Sequence, residues 1–477
     1  MNQKIVLYGA GEWGKRIIDI LQFCDIEVAA ILDSNADKWG IYLNKYIVES
    51  PDILCCMEDY ILCITIENDL IKTSIRNALI EKYNINEINE ISYMDLILYA
   101  YDQVDFKHLD LQDIKSYKQR KSVLFDCEYG LVLGGIEEWT KGICGKFIEE
   151  NEYDAFIITN NGKYEIPENL INNIIRIDVT CENSYSPSNV IKLAKVIASR
   201  MPCTLVTSQP NEVLLVGKLL KKFYGSNVQV IAGIRGGHDD IYENYIQKKD
   251  CADLFVCVSS DITSNMIKRG IAADTIHTMI CPMEYPNPLI RNYTVSKEKP
   301  LRLGYAGRIV KEQKRMDLML NLIEEIEKRH LNYYLEFAGE GEYKEELRKY
   351  IKKEKIGHRV KLVGRLGKKE LYEFWRDKDI CLNIADYEGR SRTVVEAMAN
   401  GVVPIVTETS GVHDDIRNGE NGFIVPIGNY TKMADCIERL EANRELLSKM
   451  GKKAHLEIKD KSSMDDHYKF WKSIISE

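Results

Sequence analysis

The sequence predicts an α/β protein built on largely parallel sheets, and three observations carry that prediction. Short apolar runs with strand character alternate with helix-period segments almost from end to end. Glycine-containing turns follow strands and open directly into helices, as at residues 9–12 and 307–316. The composition is that of a globular chain: 477 residues, 45% hydrophobic and 29% charged, enough for about three domains of ordinary size.

Taken in order, the first unit is a strand at Ile5–Tyr8, a glycine turn, a helix at Glu12–Phe23 and a strand at Val28–Leu32. A buried strand at Tyr60–Thr65 and a helix from about Asp69 to Tyr83 follow, closing a small Rossmann-like domain over residues 1–98. The polar, charge-rich stretch after it is expected to form a linker helix over 99–121. A second α/β series over 122–285 has strands at Ser122–Phe125 and near Ala155–Thr159, Thr204–Thr207, Val228–Ala232 and Leu254–Val258. A third, over 301–462, has strands at Leu301–Ala306 and near Tyr334–Ala338, Lys361–Val363, Ile380–Ile384 and Val403–Val406. Four of the 11 prolines (Pro282, Pro286, Pro288 and Pro300) cluster between these two series, so 286–300 is expected to be a hinge. The segment 463–477 carries an amphipathic helix at Met464–Ile475 that either closes the last core or crosses back to the middle domain. Two Rossmann-like domains joined by a hinge place a cleft at the carboxyl ends of their sheets, where α/β folds bind ligands.

Composition also excludes several functions. A net charge of −9 does not suit a protein that coats nucleic acid. The 13 cysteines contain no CxxC pair, which argues for free thiols in a reducing cytoplasm rather than a disulfide scaffold or zinc site. The first apolar run, Ile5–Tyr8, is too short for a secretion signal, and no stretch approaches the roughly 18 apolar residues that span a bilayer. The sequence KLLKKFY at 218–224 mixes basic and apolar residues. It suits either contact with anionic lipid at the inner face of the membrane or ordinary charge complementation at a helix end.

The third series holds the residues with the clearest chemistry. Gly307-Arg308-Ile309-Val310-Lys311-Glu312-Gln313-Lys314 follows a strand and leads into a helix. It presents a guanidinium and an ammonium six residues apart, a pairing suited to a diphosphate. After the strand at 380–384 comes DYEGRSRTVVEAMANG, residues 386–401. Gly389 and Ser391 suit a loop closing into a helix N-terminus, whose free N–H groups attract phosphate or sugar oxygens. Glu396 lies within that helix among apolar neighbours, where a carboxylate needs partners such as paired sugar hydroxyls. Glu388, in the loop, is placed to reach a second sugar.

Residues from about 122 to 460 resemble a retaining, nucleotide-sugar-dependent glycosyltransferase of the GT-B fold, family 4 type. The resemblance rests on Gly134-Gly135-Ile136-Glu137, GRIVKEQK at 307–314, FAGEGEYKEEL at 337–347, the Glu388/Glu396 pair and the segment 401–426, in that order. It implies two Rossmann-like domains facing across a cleft, preceded by the small N-terminal domain. It further implies that Arg308 and Lys314 hold the donor diphosphate, Glu396 the ribose hydroxyls and Glu388 the donor sugar. Gly134 and Gly135 would let backbone approach the donor, and Gly389, Arg390, Ser391, Thr409, Ser410 and Gly411 would line the same site. Where relatives place a histidine near the transferred sugar, this chain runs Gly233-Ile234-Arg235-Gly236-Gly237-His238, so either Arg235 or His238 takes that position. The sequence Gly389-Arg390-Ser391-Arg392 is more basic than the family's usual glycine-aromatic run, which leaves the donor's identity open.

In the first domain Gly9-Ala10-Gly11-Glu12-Trp13-Gly14 follows a strand and opens a helix, with Asp33 at the end of the next strand at dinucleotide-fingerprint spacing. The domain resembles small Rossmann-like domains found beside sugar-modifying enzymes, and it reads as an NAD site, a nucleotide-sugar pocket or a purely structural unit. Tyr117 and Lys121 match a Tyr-xxx-Lys spacing but lie in the polar linker, as a solvated face. The expected activity is transfer of a sugar from a nucleoside diphosphate to a glycan or lipid-linked acceptor, in bacterial surface polysaccharide synthesis. No cofactor is expected for transfer, and no metal. The acidic doublets Asp239-Asp240 and Asp414-Asp415 lack an evident third ligand, while Arg308, Lys314 and a helix N-terminus supply positive potential. Two other readings are a sugar-nucleotide oxidoreductase or epimerase centred on the first domain, and a nucleotide-sugar-binding protein without catalysis.

Overall fold

The computed structural model describes residues 3–66, 69–83, 89–112, 114, 120–127, 130–131, 134–179, 183–283, 285–461 and 463–475. The first part of the chain runs β1 (Lys4–Tyr8), α1 (Glu12–Phe23), β2 (Val28–Leu32), β3 (Tyr42–Leu43), β4 (Tyr46–Glu49), β5 (Tyr60–Ile64), α2 (Asp69–Tyr83) and α3 (Tyr93–Asp102). Its five strands lie in the order β3-β4-β2-β1-β5. The central pairings are parallel, and β3–β4 adds an antiparallel hairpin. Apolar side chains of Val6, Tyr8, Leu32, Leu62 and Ile64 pack one face of this sheet.

The middle part runs β6 (Ser122–Cys127), α4 (Gly135–Glu150), β7 (Asp154–Asn160), β8 (Ile174–Ile177), α5 (Pro187–Ala198), β9 (Cys203–Thr207), α6 (Glu212–Tyr224), β10 (Val228–Ile234), α7 (Asp239–Gln247), β11 (Leu254–Cys257), α8 (Ser260–Lys268) and β12 (Ile276–Thr278). Its sheet has the order β12-β11-β10-β9-β6-β7-β8. The last part runs β13 (Leu301–Ala306), α9 (Met316–Lys328), β14 (Tyr333–Ala338), α10 (Lys344–Lys353), β15 (Val360–Gly364), α11 (Lys368–Arg376), β16 (Ile380–Asn383), α12 (Arg392–Ala399), β17 (Val403–Thr407), α13 (Val412–Asp415), β18 (Phe423–Val425), α14 (Tyr430–Ala442), α15 (Glu445–Lys459) and α16 (Met464–Ile475). Its six strands are all parallel, in the order β15-β14-β13-β16-β17-β18. Near-continuous buried strands such as VPIVT and ICLN follow from this, because a parallel sheet is covered on both faces.

The chain divides into two compact units. The first comprises residues 1–132, 150–231 and 247–253, and the second 133–149, 232–246 and 254–477. Within the first unit, fully buried Tyr101 at the end of α3 donates its hydroxyl to the Tyr185 carbonyl at 2.6 Å. Phe106 meets Phe223 edge-on, with ring centroids 5.5 Å apart. The linker helix expected over 99–121 is not what the structure shows. The helix is α3 and stops at Asp102, and the described residues beyond it, 103–112, 114 and 120–121, form turns and irregular chain. Asp105 accepts from the backbone N–H groups of Lys107 and His108, a local turn that competes with helix. Val104, Leu109 and Leu111 are buried without helical period. Tyr117 lies outside the described residues.

Within the second unit, the segment expected as a hinge contains no helix or strand among its described residues. Its Arg291 donates to the Asn400 carbonyl at 2.7 Å and its Tyr293 to the Gly401 carbonyl at 3.1 Å. Helix α16 packs along α4. Trp471 meets Trp139 with centroids 5.4 Å apart, Tyr468 meets Phe147 at 4.9 Å, and Lys146 pairs with Asp465 at 2.9 Å.

Candidate active site

The loops after β13 and β16 converge in the second unit. Gly307 takes φ +152°, where a side chain is disfavoured, and a Cβ on Gly339 would fall 1.9 Å from the Gly307 carbonyl oxygen. This close approach fixes the entry of the 307–314 loop. Tyr305 then holds it by donating its hydroxyl to the Arg308 carbonyl at 2.6 Å. The Arg308 guanidinium bonds the Gln313 side chain, and Gln313 donates in turn to the Tyr387 carbonyl at 3.2 Å. Arg315 grips Asp386 with both carboxylate oxygens at 2.9 Å. Lys314 is thereby brought onto Glu388: the ammonium contacts Oε1, with side chains only 12% and 11% exposed. Asn383, at the end of β16, donates to Ser391 Oγ at 2.8 Å and reaches Glu388 at 3.4 Å.

Helix α12 begins immediately after this loop. Ser391 is its N-cap residue and makes no side-chain cap bond, so the first-turn N–H groups have no side-chain acceptor from their own cap. Glu396 accepts from Arg392 at 2.9 Å, one helical turn away. Burial by itself would lower the Arg392 guanidinium, and the Glu396 charge beside it more than offsets this and leaves it raised. Glu396 lines a small pocket together with Lys368, Tyr372, Trp375, Arg392 and Asn400.

Two further segments close on the same loop. A Cβ on Gly389 would fall 1.9 Å from the Arg235 carbonyl oxygen, and one on Gly237 would fall 2.2 Å from that of Glu388 and 2.4 Å from Ser410 Oγ. Gly411, at φ +77°, donates its N–H to Asp261 at 2.9 Å. Gly389 and Gly411 thus stand where backbone comes close, chain to chain. Gly134 and Gly135 stand at the start of α4, where Glu137 folds back so that a Cβ on Gly134 would meet its carboxylate at 2.3 Å. Burial pushes the Glu137 carboxyl up.

Arg235 and His238 separate clearly. Arg235 is half-buried, with its guanidinium 3.5 Å from the Trp139 ring centroid and Nη1 3.0 Å from Cys281 Sγ. His238 keeps an exposed ring whose centroid lies 4.5 Å from that of Tyr387. Arg390, grouped by sequence with the donor-binding residues, instead forms a buried bidentate pair with Asp415 at 2.7 and 2.9 Å, both side chains at most 5% exposed. The acidic doublets are engaged as well. Asp239 pairs with Arg269 at 2.5 Å, and Asp414 accepts from the Ser260 N–H at 2.9 Å. No three His, Cys, Asp or Glu residues group around a metal-sized site among the described residues. Gln313, Asn383 and Tyr387 were not anticipated. Asn383 carried a signal, a polar residue inside the apolar run ICLNIA.

In the first unit, Gly9 takes φ +114° and a Cβ on Gly14 would fall 2.1 Å from the Gly9 carbonyl oxygen, so α1 packs directly on the strand end. Gly11 faces open space. Asp33 accepts from Ala10 N–H at 2.8 Å, Asn35 N–H at 2.9 Å and Lys38 Nζ at 2.8 Å. Burial alone would raise its carboxyl, but these donors outweigh burial and hold it below the ordinary range. A dinucleotide requires this carboxylate for ribose hydroxyls. With its oxygens turned onto the loop's own N–H and Lys38, the residues present do not fit one. Lys121 is half-buried, which lowers its ammonium. In the 218–224 stretch Lys221 pairs with Asp253 and Phe223 packs on Phe106, so these residues serve packing within the unit. No helix among the described residues is long and apolar enough to cross a membrane.

Residues 287–457 match the family model described as Glycosyl transferases group 1, and residues 1–91 match one described as C2185-like, N-terminal. Over 175 residues the chain is 26% identical to the poly(ribitol-phosphate) alpha-N-acetylglucosaminyltransferase of Staphylococcus aureus (strain COL), a match covering 36% of this chain and only 35% of that protein. Over 335 residues it is 22% identical to the N-acetyl-alpha-D-glucosaminyl L-malate synthase of Bacillus anthracis, covering 65% of this chain and 85% of that one. Among solved structures, an apo lipopolysaccharide outer core galactosyltransferase superposes with a TM-score of 0.62 at 17% identity, covering 75% of this chain and 99% of the other. The Anabaena protein HepE, in complex with UDP, gives 0.60 at 14% with the same coverages. TarM gives 0.53 at 13%, covering 100% of this chain and 99% of the other. The fold is GT-B, preceded by the five-stranded N-terminal sheet, and residues 287–457 are similar to group 1 glycosyl transferase domains.

Proposed function

We propose that the protein is a retaining glycosyltransferase of the family 4 type. It moves a sugar from a nucleoside-diphosphate donor to a glycan or lipid-linked acceptor in the synthesis of a bacterial surface polysaccharide. The observation that carries this reading is the meeting of Lys314 with Glu388 beside the N-terminus of α12, with Arg308 held in the same loop and Glu396 further along the helix. The match of residues 287–457 to a glycosyl transferase domain and the UDP bound by the HepE neighbour support a nucleotide donor.

In this reading the bond from the anomeric carbon to the diphosphate breaks, and one to the acceptor oxygen forms on the same face. The acceptor's proton passes to the departing phosphate oxygen. Arg308, Lys314 and the α12 N–H groups oppose the charge that develops on that oxygen, the largest electrostatic demand of the reaction. Glu388 and His238 face the transferred sugar, Glu396 binds the ribose hydroxyls, and no metal is required. Gly134, Gly135, Gly389, Ser391, Ser410 and Gly411 shape the donor's surroundings by backbone approach, whereas Arg390 supports the loop from behind through Asp415. A cytoplasmic location accords with the 12 described cysteines, all of them free thiols.

A panel of nucleotide sugars screened for thermal stabilisation tests the reading, because a ligand bound to the native state alone raises its melting temperature. At least one donor should stabilise the full chain and be turned over with an acceptor. Absence of stabilisation by every nucleotide sugar and nucleoside diphosphate would overturn it.

A further inference from the structure

The C-terminal helix brings an unusual buried group against α4. His467 is 1% exposed, and its Nε2 lies 2.8 Å from the Trp139 indole N–H and 3.0 Å from that of Trp471. An indole nitrogen can only donate, so Nε2 is an acceptor and the imidazole is neutral, with its proton on Nδ1. Burial and the nearby Arg235 charge pull the His467 imidazolium down to about 3, in agreement with that assignment. The Trp139 ring that His467 holds is the face on which Arg235 rests, 3.5 Å from its centroid. The backbone of Arg235 is in turn the surface against which Gly389 closes, and Gly237 closes on Glu388 two residues further along.

We propose that His467 is a positioning residue for sugar transfer: as a neutral acceptor whose Nε2 lone pair is shared by two indole N–H groups it fixes Trp139 and Trp471, and through Trp139 and Arg235 it sets the backbone at 235–237 that holds Glu388 and Gly389 in place. Where Gly389 and Gly237 meet the facing backbone no side chain can adjust, so a displacement behind Arg235 passes directly to Glu388 and to the start of α12. Lys314 touches Glu388, while its neighbours Gln313 and Arg315 hold the loop independently at Tyr387 and Asp386, which His467 does not touch. Loss of the acceptor should therefore impair turnover more than nucleotide binding. This inference rests on the transferase reading for its kinetic readout, and a second readout is independent of it.

The test compares His467→Gln, which keeps a neutral acceptor, with His467→Leu, which keeps bulk and removes it. Trp471→Phe removes one donor and provides a milder lesion should His467→Leu not fold. In the full chain, kcat of His467→Leu should fall by roughly tenfold or more with the Kd of the nucleoside diphosphate held within about twofold, and His467→Gln should restore most of the loss. Hydrogen exchange should quicken at residues 235–238 and 386–391 in His467→Leu and Trp471→Phe, whether or not a donor has been found. Unchanged exchange in both segments would overturn the proposal, as would equal defects in the Gln and Leu variants. If exchange behaves as expected and no donor is turned over by the wild-type chain, it is the transferase reading that fails.

Discussion

The glycine loop after β1 and the loop pair after β13 and β16 look alike in sequence, each a strand end with glycine and nearby charge, and the structure uses them in opposite ways. In the first, Gly14 lets α1 touch the strand end, and Asp33 turns its charge back onto the loop's own N–H and onto Lys38. The charged partner Lys38 lies five residues along the chain, and Ala10 belongs to the glycine loop 23 residues back. In the second, the charged partners come from different loops: Lys314 meets Glu388 across 74 residues, and Arg390 meets Asp415 across 25. A charge paired with a cation five residues away and with backbone N–H groups is a device for holding shape. Charges brought together from separate loops, at a helix start, form a place where a ligand can exchange for one of the partners.

The largest effect should come from Arg390→Ala, which leaves Asp415 buried with Lys461, at 3.4 Å, as its remaining cation among the described residues. Breaking a buried pair in this way costs about 3–5 kcal/mol, and denaturant unfolding of the full chain measures it. A loss well below 1 kcal/mol would return Arg390 to the donor-binding residues. Next, Arg308→Ala and Lys314→Ala should each raise the transfer barrier by roughly 2–4 kcal/mol, seen in kcat, while the fold persists. Near-normal turnover in both would remove them from the leaving-group role.

How far the sequence conveyed this can be judged from particular elements. Helix α1 and strand β2 have the boundaries their periodicity predicts, because apolar spacing and a glycine turn ahead of the helix are local signals. Helix α3 and the β3–β4 hairpin were missed. Helix α3 is apolar nearly all round, YMDLILYAYD, which blurs its period, and each hairpin strand is only two to four residues long. At the site, residue types and order marked Arg308, Lys314, Glu388 and Glu396. They could not show that Arg390 faces inward, since its partner lies beyond β17, nor that Asp33 is occupied by Ala10, Asn35 and Lys38. Partner identity across sheets is a tertiary fact.

Two smaller effects sharpen the contrast between the loops. Asp33→Ala should cost about 1–3 kcal/mol through the stranded donors Ala10 N–H, Asn35 N–H and Lys38, and should leave nucleotide-sugar affinity unchanged. Because the Asp33 carboxyl is held below its unfolded value, its contribution is complete above about pH 4 and is lost as pH falls through the folded value. A thermal melt across that window, compared with the Ala variant, reads the difference. Smallest of all, exhaustive EDTA treatment should leave transfer within a few-fold of its starting rate. Abolition by EDTA and rescue by magnesium or manganese would mean that the protein cations do not suffice.

The central claim, that the nucleotide is bound by the converging loops of the second unit and not by the glycine loop of the first, is tested most directly by calorimetric titration of a nucleoside diphosphate. The titration would be run on the wild-type chain, Glu396→Gln and Asp33→Ala. The account predicts clear binding to wild type and to Asp33→Ala, and an affinity weakened by about tenfold in Glu396→Gln through loss of charge-assisted bonds to ribose. Unchanged affinity in Glu396→Gln together with its loss in Asp33→Ala would contradict the account and move the nucleotide to the N-terminal sheet.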